Sequence, residues 1–422
     1  MRTANLWLLL LSCRLVSILA ASLCTPGRGV CGTVVFRSPN YPRCCTESPP
    51  AGKALWDSCF FRIPLVLAVP RTSIILAFAE HRRGAGVGQA PRGGGCSDGS
   101  GLGLAMSRSI DGGSTFGPVS YPVNDTDPVH IALHDGLVIG SAVFDDETNT
   151  TFLFYTACYH RCRRTQSYVL KSSDGGETWS TPREGNLTNV YEAAGIVNLQ
   201  YGEGLGVSFP IQAMTDAQNF SRGRVRLLVC SYFGQTPAHR NSTEEYDGII
   251  CISSDTHGKT WALAGKLAST RILGPLEPAI ATLKNGSVLL NVRDVNRSHY
   301  RWAAISNDGG LSFSNPWKTA VIGPVSNAAM CTVGRGTKQE QVLLANPHSL
   351  EHRENLTVFR LDQATDEWSV LKQVYSGGSG YVTSTPAGCG TSELGLLFEA
   401  DKDAGANCSS INYVRVNVSL SL

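Results

Sequence analysis

The sequence predicts an all-β fold in which one small antiparallel unit repeats around an axis, a β-propeller. Three observations predict it: one hairpin turn recurs four times, short strands bounded by turn residues run along the chain, and no long stretch keeps a 3.6-residue apolar period. The turns are Ser109-Ile-Asp-Gly-Gly-Ser-Thr-Phe116, Ser172-Ser-Asp-Gly-Gly-Glu-Thr-Trp179, Ser254-Asp-Thr-His-Gly-Lys-Thr-Trp261 and Ser306-Asn-Asp-Gly-Gly-Leu-Ser-Phe313. In the pattern S-x-D-x-G-x-[TS]-[WF], the Asp and Ser side chains bond the turn's own N–H groups. Glycine supplies a positive φ, and the aromatic ring buries the turn against a sheet. The third copy is degenerate, with Thr256 at the Asp position and Asp255 one place early. These boxes are scaffold, so the chemistry has to be sought elsewhere.

The N-terminus comes first in chain order. Met1–Ser22 carries Arg2, an apolar run and the small residues Ala20-Ala21-Ser22, the pattern of a cleaved signal peptide, with a retained signal anchor as the alternative. No other run approaches the ~20 apolar residues of a membrane span, so no span is expected in the mature chain. Residues 23–57 read as a Cys-rich extension holding Cys24, Cys31, Cys44 and Cys45, with Cys59 just beyond it, and 58–422 as the propeller. At 422 residues the chain can bury a large core as one domain. A net charge of +2 with 17% charged residues gives no field suited to nucleic acid or an anionic membrane.

Two features agree with a secretory route. Sequons stand at Asn124, Asn149, Asn186, Asn219, Asn241, Asn285, Asn296, Asn355, Asn407 and Asn417, and the chain has 14 cysteines. Asn285-Gly286 is also a hairpin-turn dipeptide. Cys158-Tyr-His-Arg-Cys162 lacks a second Cys/His pair to complete a metal site and reads as a loop-closing disulfide. Cys230 and Cys251 fall in successive strands and could bridge neighbours. With Cys13 removed an odd number of cysteines remains, so at least one thiol is free or pairs outside the chain. Strands are expected at Ser73–Ala79, Thr151–Cys158, Val225–Cys230, Ile249–Ser253, Ser287–Val292, Ala303–Ser306, Val342–Ala345, Leu394–Phe398 and Asn412–Val418. The expected closure has the last strand completing the first blade, which removes a free edge.

The chemical residues begin with Phe61-Arg62-Ile63-Pro64, followed by an apolar strand ending Ala79-Glu80-His81-Arg82 and then by the four boxes. In this order the motifs resemble the sialidases (neuraminidases), exo-glycosidases that remove terminal sialic acid. The resemblance covers roughly residues 58–418, is closest to the animal lysosomal branch, and implies a six-bladed propeller.

The resemblance implies an arginine triad of Arg62, Arg293 (in Asn291-Val-Arg293) and Arg353 (in His352-Arg353-Glu354) that grips the substrate carboxylate. Arginine suits that task because its planar, always-charged fork bonds a carboxylate bidentately. Glu399, in Leu394-Gly-Leu-Leu-Phe-Glu399, would steady the first arginine, and Arg82 would bind ring substituents. Glu80 and Asp98 are the two acidic residues between Arg62 and the first box, and Asp98 stands 11 residues before Ser109. Similar sialidases place their acid/base at about this remove from the first box, so the resemblance implies that Asp98 protonates the leaving oxygen and later deprotonates water. The glycine-rich loop 84–97 before it is longer than the family pattern.

Sialic acid carries a carboxylate on its anomeric carbon, which would repel a carboxylate nucleophile, and sialidases are the exception that uses tyrosine. A phenol needs an adjacent base. Tyr381 in Gly377-Gly-Ser-Gly-Tyr381 matches the nucleophile and Glu277 in Leu276-Glu277-Pro278 its base. The implied function is retaining hydrolysis of terminal sialic acid from glycoproteins, oligosaccharides and glycolipids, gangliosides included, with no metal or cofactor. The alternatives are a trans-sialidase and an inactive sialic-acid-binding or receptor-type propeller. Sialylated glycans are the expected partners, with a carrier protein as in the lysosomal relatives. The lysosome is the expected address, with the cell surface or secretion as alternatives. Tyr413-Val-Arg-Val416 has the letters of a sorting signal but falls in the expected closing strand.

Overall fold

The computed structural model describes residues 32–38, 60–82, 101–124, 127, 130, 136–157, 165–201, 204–210, 225–235, 247–270, 272–387, 392–401 and 410–419. The expected signal peptide, most of the Cys-rich extension, Asp98, Cys158, Cys162, Asn219, Asn241 and Asn407 lie outside the described residues.

The fold is all-β with almost no helix: among the described residues one five-residue helix, α1 (Thr188–Glu192), and one 3-10 turn (Pro182–Gly185) interrupt 24 strands. After β1 (Thr33–Arg37) come β2 (Phe60–Ala68), β3 (Ile75–Arg82), β4 (Gly101–Ser109) and β5 (Ser120–Asn124), an antiparallel sheet paired in chain order. The second sheet holds β6 (Leu137–Asp145), β7 (Thr150–Ala157) and β8 (Gln166–Ser172). After β9 (Ile196–Tyr201), the short β10 (Gly204–Leu205) returns to pair in parallel with β6. The third is β11 (Val207–Pro210), β12 (Val225–Gln235), β13 (Gly248–Ser254) and β14 (Ala262–Ala268), with β9 alongside β12. The fourth is β15 (Pro275–Thr282), β16 (Val288–Asp294), β17 (Tyr300–Ser306) and β18 (Trp317–Ile322).

The last sheet has seven strands: β19 (Ala329–Val333), β20 (Gln341–Pro347), β21 (Glu354–Asp362), β22 (Glu367–Pro386), β23 (Glu393–Asp401), β24 (Ser410–Asn417), and β1 on the edge beside β24. The 20-residue β22 changes partner midway. Its first part pairs with β21 and its second, from Gly378, with β23. Closure therefore differs from the expectation. The first strand completes the last sheet, with Thr33 opposite Tyr413 and Arg37 opposite Ser410. Either arrangement covers a free edge, and here the covered edge is that of β24. β1 also carries residues that the sequence places in the extension.

The strands expected from the sequence are all present, and the ladders run on through polar ends. The strand expected at Ser73–Ala79 is β3, which continues to Arg82, and the one expected at Val225–Cys230 is β12, which continues to Gln235. Cys230 and Cys251 face each other across β12 and β13 and form a disulfide. Cys331 is a free, buried thiol. Tyr413 is buried inside β24.

Each box docks on the sheet before its own. In the second box, Asp174 takes the Thr178 hydroxyl at 2.5 Å and its backbone N–H at 3.0 Å, and Ser172 takes the Gly176 N–H at 2.9 Å. In the degenerate third box, Thr256 Oγ1 takes over that acceptor role toward the Thr260 N–H at 3.0 Å. Displaced Asp255 grips Arg226 with two 2.7 Å bonds. The box glycines Gly113, Gly176, Gly258 and Gly310 all have positive φ, and a Cβ on them would collide with Tyr413, Leu76, Phe152 and Leu228 respectively. The first box therefore rests on β24 and the next three on β3, β7 and β12. Among the described residues the buried apolar side chains form six clusters. Five lie between successive sheets around the ring, and one lies between the two halves of the seven-stranded sheet.

Candidate active site

The site is built on strand bulges. β2 has an extra residue between Arg62 and Leu65, β6 between Ile139 and Ala142, β15 between Leu276 and Ala279, and β22 between Ser379 and Val382. A bulge re-aims its side chains and frees a backbone N–H from the ladder. In β2 and β15 the device is the same: Ile63 (φ 56°) and Glu277 (φ 44°) each precede a proline in a conformation that L residues avoid. Such strain costs on the order of 1–3 kcal/mol per residue and persists where the surroundings enforce it. Two buried glutamates take the freed amides. Glu399 accepts Ile63 N–H at 3.0 Å and Tyr381 N–H at 2.9 Å, and Glu80 accepts Ile139 N–H at 3.1 Å.

The bulges bring together residues far apart in sequence. Arg62 donates to Glu399 at 2.9 and 3.3 Å. Burial would raise the pKa of Glu399, but the charge and hydrogen bonds of Arg62, with the two backbone donors, outweigh it and hold it below the usual carboxylate range. No side chain fits at Gly380, where a Cβ would collide with the Glu399 carboxylate. Tyr381 donates its hydroxyl to Glu277 Oε1 in a short contact, and Arg293 Nη1 donates to the same carboxylate at 2.5 Å and to the tyrosine oxygen at 3.1 Å. Glu277 too is held below its ordinary value: burial opposes its charge, and the charge and bond of Arg293, the Tyr381 hydroxyl and the Arg353 charge more than compensate. The guanidinium carbons of Arg62 and Arg353 lie 5.2 and 5.3 Å from the centre of the Tyr381 ring.

Six of the sequence-derived site residues thus share one cluster: Arg62, Glu277, Tyr381 and Glu399, which are buried, and Arg293 and Arg353, which are half-buried. Arg82 is only 2% exposed and is bound to Glu80 at 2.6 and 2.8 Å, so what faces the sheet interior is an ion pair. Asp98 lies outside the described residues. Of the described sequons, Asn149, Asn186, Asn285, Asn296 and Asn417 are exposed, and Asn124 and Asn355 are half-buried.

Sequence reasoning missed the support behind the cluster. Asn291 and Arg301 are buried on β16 and β17, joined by a 2.8 Å bond. Three consecutive residues before β19 act as a strap. Val325 C=O accepts from Arg353 at 2.9 Å and Ser326 C=O from Arg301 at 2.8 Å, and Asn327 holds both the N–H and C=O of Val382, next to Tyr381. A signal was present: Asn291 interrupts the apolar run Val288-Leu-Leu-Asn291-Val of an inner strand, where a polar residue needs a buried partner.

The chain is similar to known proteins. A curated sialidase of Micromonospora viridifaciens is 27% identical over 325 residues, 70% of this chain, and this chain spans 44% of that protein's length. Among solved structures, a Hadza microbial sialidase is similar with a TM-score of 0.63 at 19% identity, over 86% of this chain and 66% of the other. The intramolecular trans-sialidase of Ruminococcus gnavus is similar with a TM-score of 0.63 at 18% identity, over 87% and 96%. These structural likenesses carry the propeller-like fold, and the curated relative supports a place among the sialidases. The profile of the BNR repeat-like domain matches residues 126–391, more than half of the chain, and by that match the chain belongs to the BNR repeat-like family.

Proposed function

We propose that the chain is a retaining exo-α-sialidase acting through a tyrosyl-sialyl intermediate. The observation that carries this reading is the Tyr381–Glu277–Arg293 contact, set against two further arginines beside the Tyr381 ring. A phenol bonded to an ionised carboxylate is a nucleophile with its base in place. Three arginines beside it form a site for a carboxylate.

In the proposed reaction Arg62, Arg293 and Arg353 hold the sialic acid carboxylate. The Tyr381 oxygen attacks the anomeric carbon as its proton passes to Glu277, and Asp98 protonates the departing glycosidic oxygen. Asp98 then deprotonates a water that displaces the tyrosine, whose oxygen recovers its proton from Glu277. Two inversions give net retention. Arg82, held by Glu80, is assigned to the ring substituents.

The same proposal takes the architecture as six blades, counting the seven-stranded sheet as two joined through β22. It keeps the secretory route, glycosylation, the lysosomal address and a carrier protein as parts to be tested. The test is release of a fluorescent aglycone from an α-sialoside between about pH 4 and 7 by wild type, Tyr381→Phe and Asp98→Asn. Activity that collapses in Tyr381→Phe, with the α-anomer formed first by proton NMR, supports the reading. Transfer to an added sugar acceptor in preference to water would make the enzyme a trans-sialidase. Sialoside binding without turnover, unchanged by a carrier, would make it a binding propeller.

A further inference from the structure

Arg301 has no part in the reaction as proposed, yet its placement is hard to explain as packing. It is 2% exposed, on β17, and the antiparallel register that sets Val292 opposite Trp302 puts it next to Arg293 on the same face of the sheet. Two cations side by side in a buried sheet repel each other, and burial together with the Arg293 charge outweighs the Glu277 charge and pulls the pKa of Arg301 down to about 9. Three groups compensate: Asn291 Oδ1 at 2.8 Å on Nε, Ser326 C=O at 2.8 Å on Nη1, and the charge of Glu277. One donor, Nη2, is buried and has no hydrogen-bond partner, as has one acceptor of Glu277, Oε2. The guanidinium also joins two groups of contacts. Asn291 lies two residues before Arg293 on β16, while Ser326 belongs to the strap whose neighbours hold Arg353 and the Tyr381–Val382 backbone.

We propose that Arg301 is a positioning residue that ties the Arg293 strand to the Val325–Asn327 strap and keeps Glu277 ionised as the base for Tyr381. This rests on the sialidase reading. Across the cluster, the charged and titratable groups facing Glu277 are Arg293 on β16, Tyr381 on β22, Arg353 before β21 and Arg301 on β17, with Tyr232 of β12 acting on Arg293. Arg301 acts on Glu277 through its charge, with no hydrogen bond to that carboxylate. Its removal therefore changes the field at that carboxylate and leaves the Arg293 and Tyr381 bonds in place.

The sign follows from charge. Without Arg301 the Glu277 carboxylate protonates at higher pH, so turnover is lost earlier as pH falls. The experiment measures kcat and KM on a fluorescent α-sialoside at pH 4 and pH 7 for wild type, Arg301→Lys, Arg301→Met and Asn291→Asp. Far-UV circular dichroism and urea midpoints establish that each variant is folded. Asn291→Asp is nearly isosteric and places a negative charge against Arg301, which guards against loss of fold in Arg301→Met. The expected result is a pH 4 to pH 7 ratio of kcat that falls about tenfold in Arg301→Met and in Asn291→Asp, the size of effect one neighbouring charge produces. Arg301→Lys, whose buried ammonium lacks the fork and gives up its proton more readily than a guanidinium, should shift the ratio in the same direction. A ratio unchanged in folded Asn291→Asp or Arg301→Met, even with both rates lowered, overturns the proposal and leaves Arg301 a packing residue. A wild type that turns over no sialoside instead overturns the sialidase reading on which the proposal rests.

Discussion

Glu399 joins the halves of the candidate site, and Glu399→Gln is the substitution that tests it most directly. Its two oxygens accept four bonds, from Arg62 Nε and Nη2 and from the Ile63 and Tyr381 amides, at 2.9 to 3.3 Å. Glutamine keeps the volume but has one acceptor and one donor end. Whichever way the amide turns, its NH2 faces two of those four donors. Unsatisfied buried donors cost about 1–3 kcal/mol each. Taking one partner from a buried ion pair costs about 3–5 kcal/mol, because the remaining charge stays desolvated. The two estimates overlap, and a loss of about 3–5 kcal/mol is expected in urea unfolding followed by fluorescence. Glu393→Gln on the same strand is the control. Glu393 sits 3.6 Å from Arg415 with both side chains partly exposed, and such pairs contribute about 0–1 kcal/mol. With Arg62 and Tyr381 both displaced, kcat/KM should fall at least about 100-fold, the scale of a 1 Å misplacement. A stability loss under about 1 kcal/mol for Glu399→Gln would refute the argument that this carboxylate organises the bulges.

Two further outcomes follow from the scaffold. Burial lowers the pKa of His81 to about 4 from an ordinary 6.5, so the unfolded chain takes up a proton first as pH falls; stability from this residue is full above about pH 6.5, declines below it and levels near pH 4. At 1.36 kcal/mol per unit the loss is about 2–3 kcal/mol, and urea unfolding at pH 7 and 4.5 should show wild type losing that much more than His81→Gln, whereas equal losses would exclude it. Gly258→Ala should cost about 2–4 kcal/mol, since a methyl collides with buried Phe152 at φ +70°, while Gly336→Ala at φ +74°, with open space around it, should cost about 1–2 kcal/mol from the backbone alone. Equal losses at the two positions would show that the box does not dock through this contact.

What the sequence alone determined is what depends on neighbours along the chain. Ser172, Asp174, Gly176 and Thr178 form their turn with one another, so the box was legible as a turn, and the strand between two such turns was legible from its apolar run. Arg62, Glu277, Arg293, Arg353, Tyr381 and Glu399 were legible as candidates because their local motifs resemble a family. Their meeting was not derivable from spacing, because Arg62 reaches Glu399 across 337 residues and Tyr381 reaches Glu277 across 104. Only the tertiary structure decided how bulges in β2, β15 and β22 bring Arg62, Glu277 and Tyr381 to one point, and that Glu399 and Glu80 take amides at the bulges of β2, β22 and β6. It also decided that β1 completes the last sheet, since an edge of β24 can be covered by any strand that reaches it. Arg301 and the Val325–Asn327 strap were hidden for the same reason. Their partners are backbone carbonyls, buried charges and side chains from other strands, and no residue type or local pattern records which carbonyl a folded guanidinium will meet.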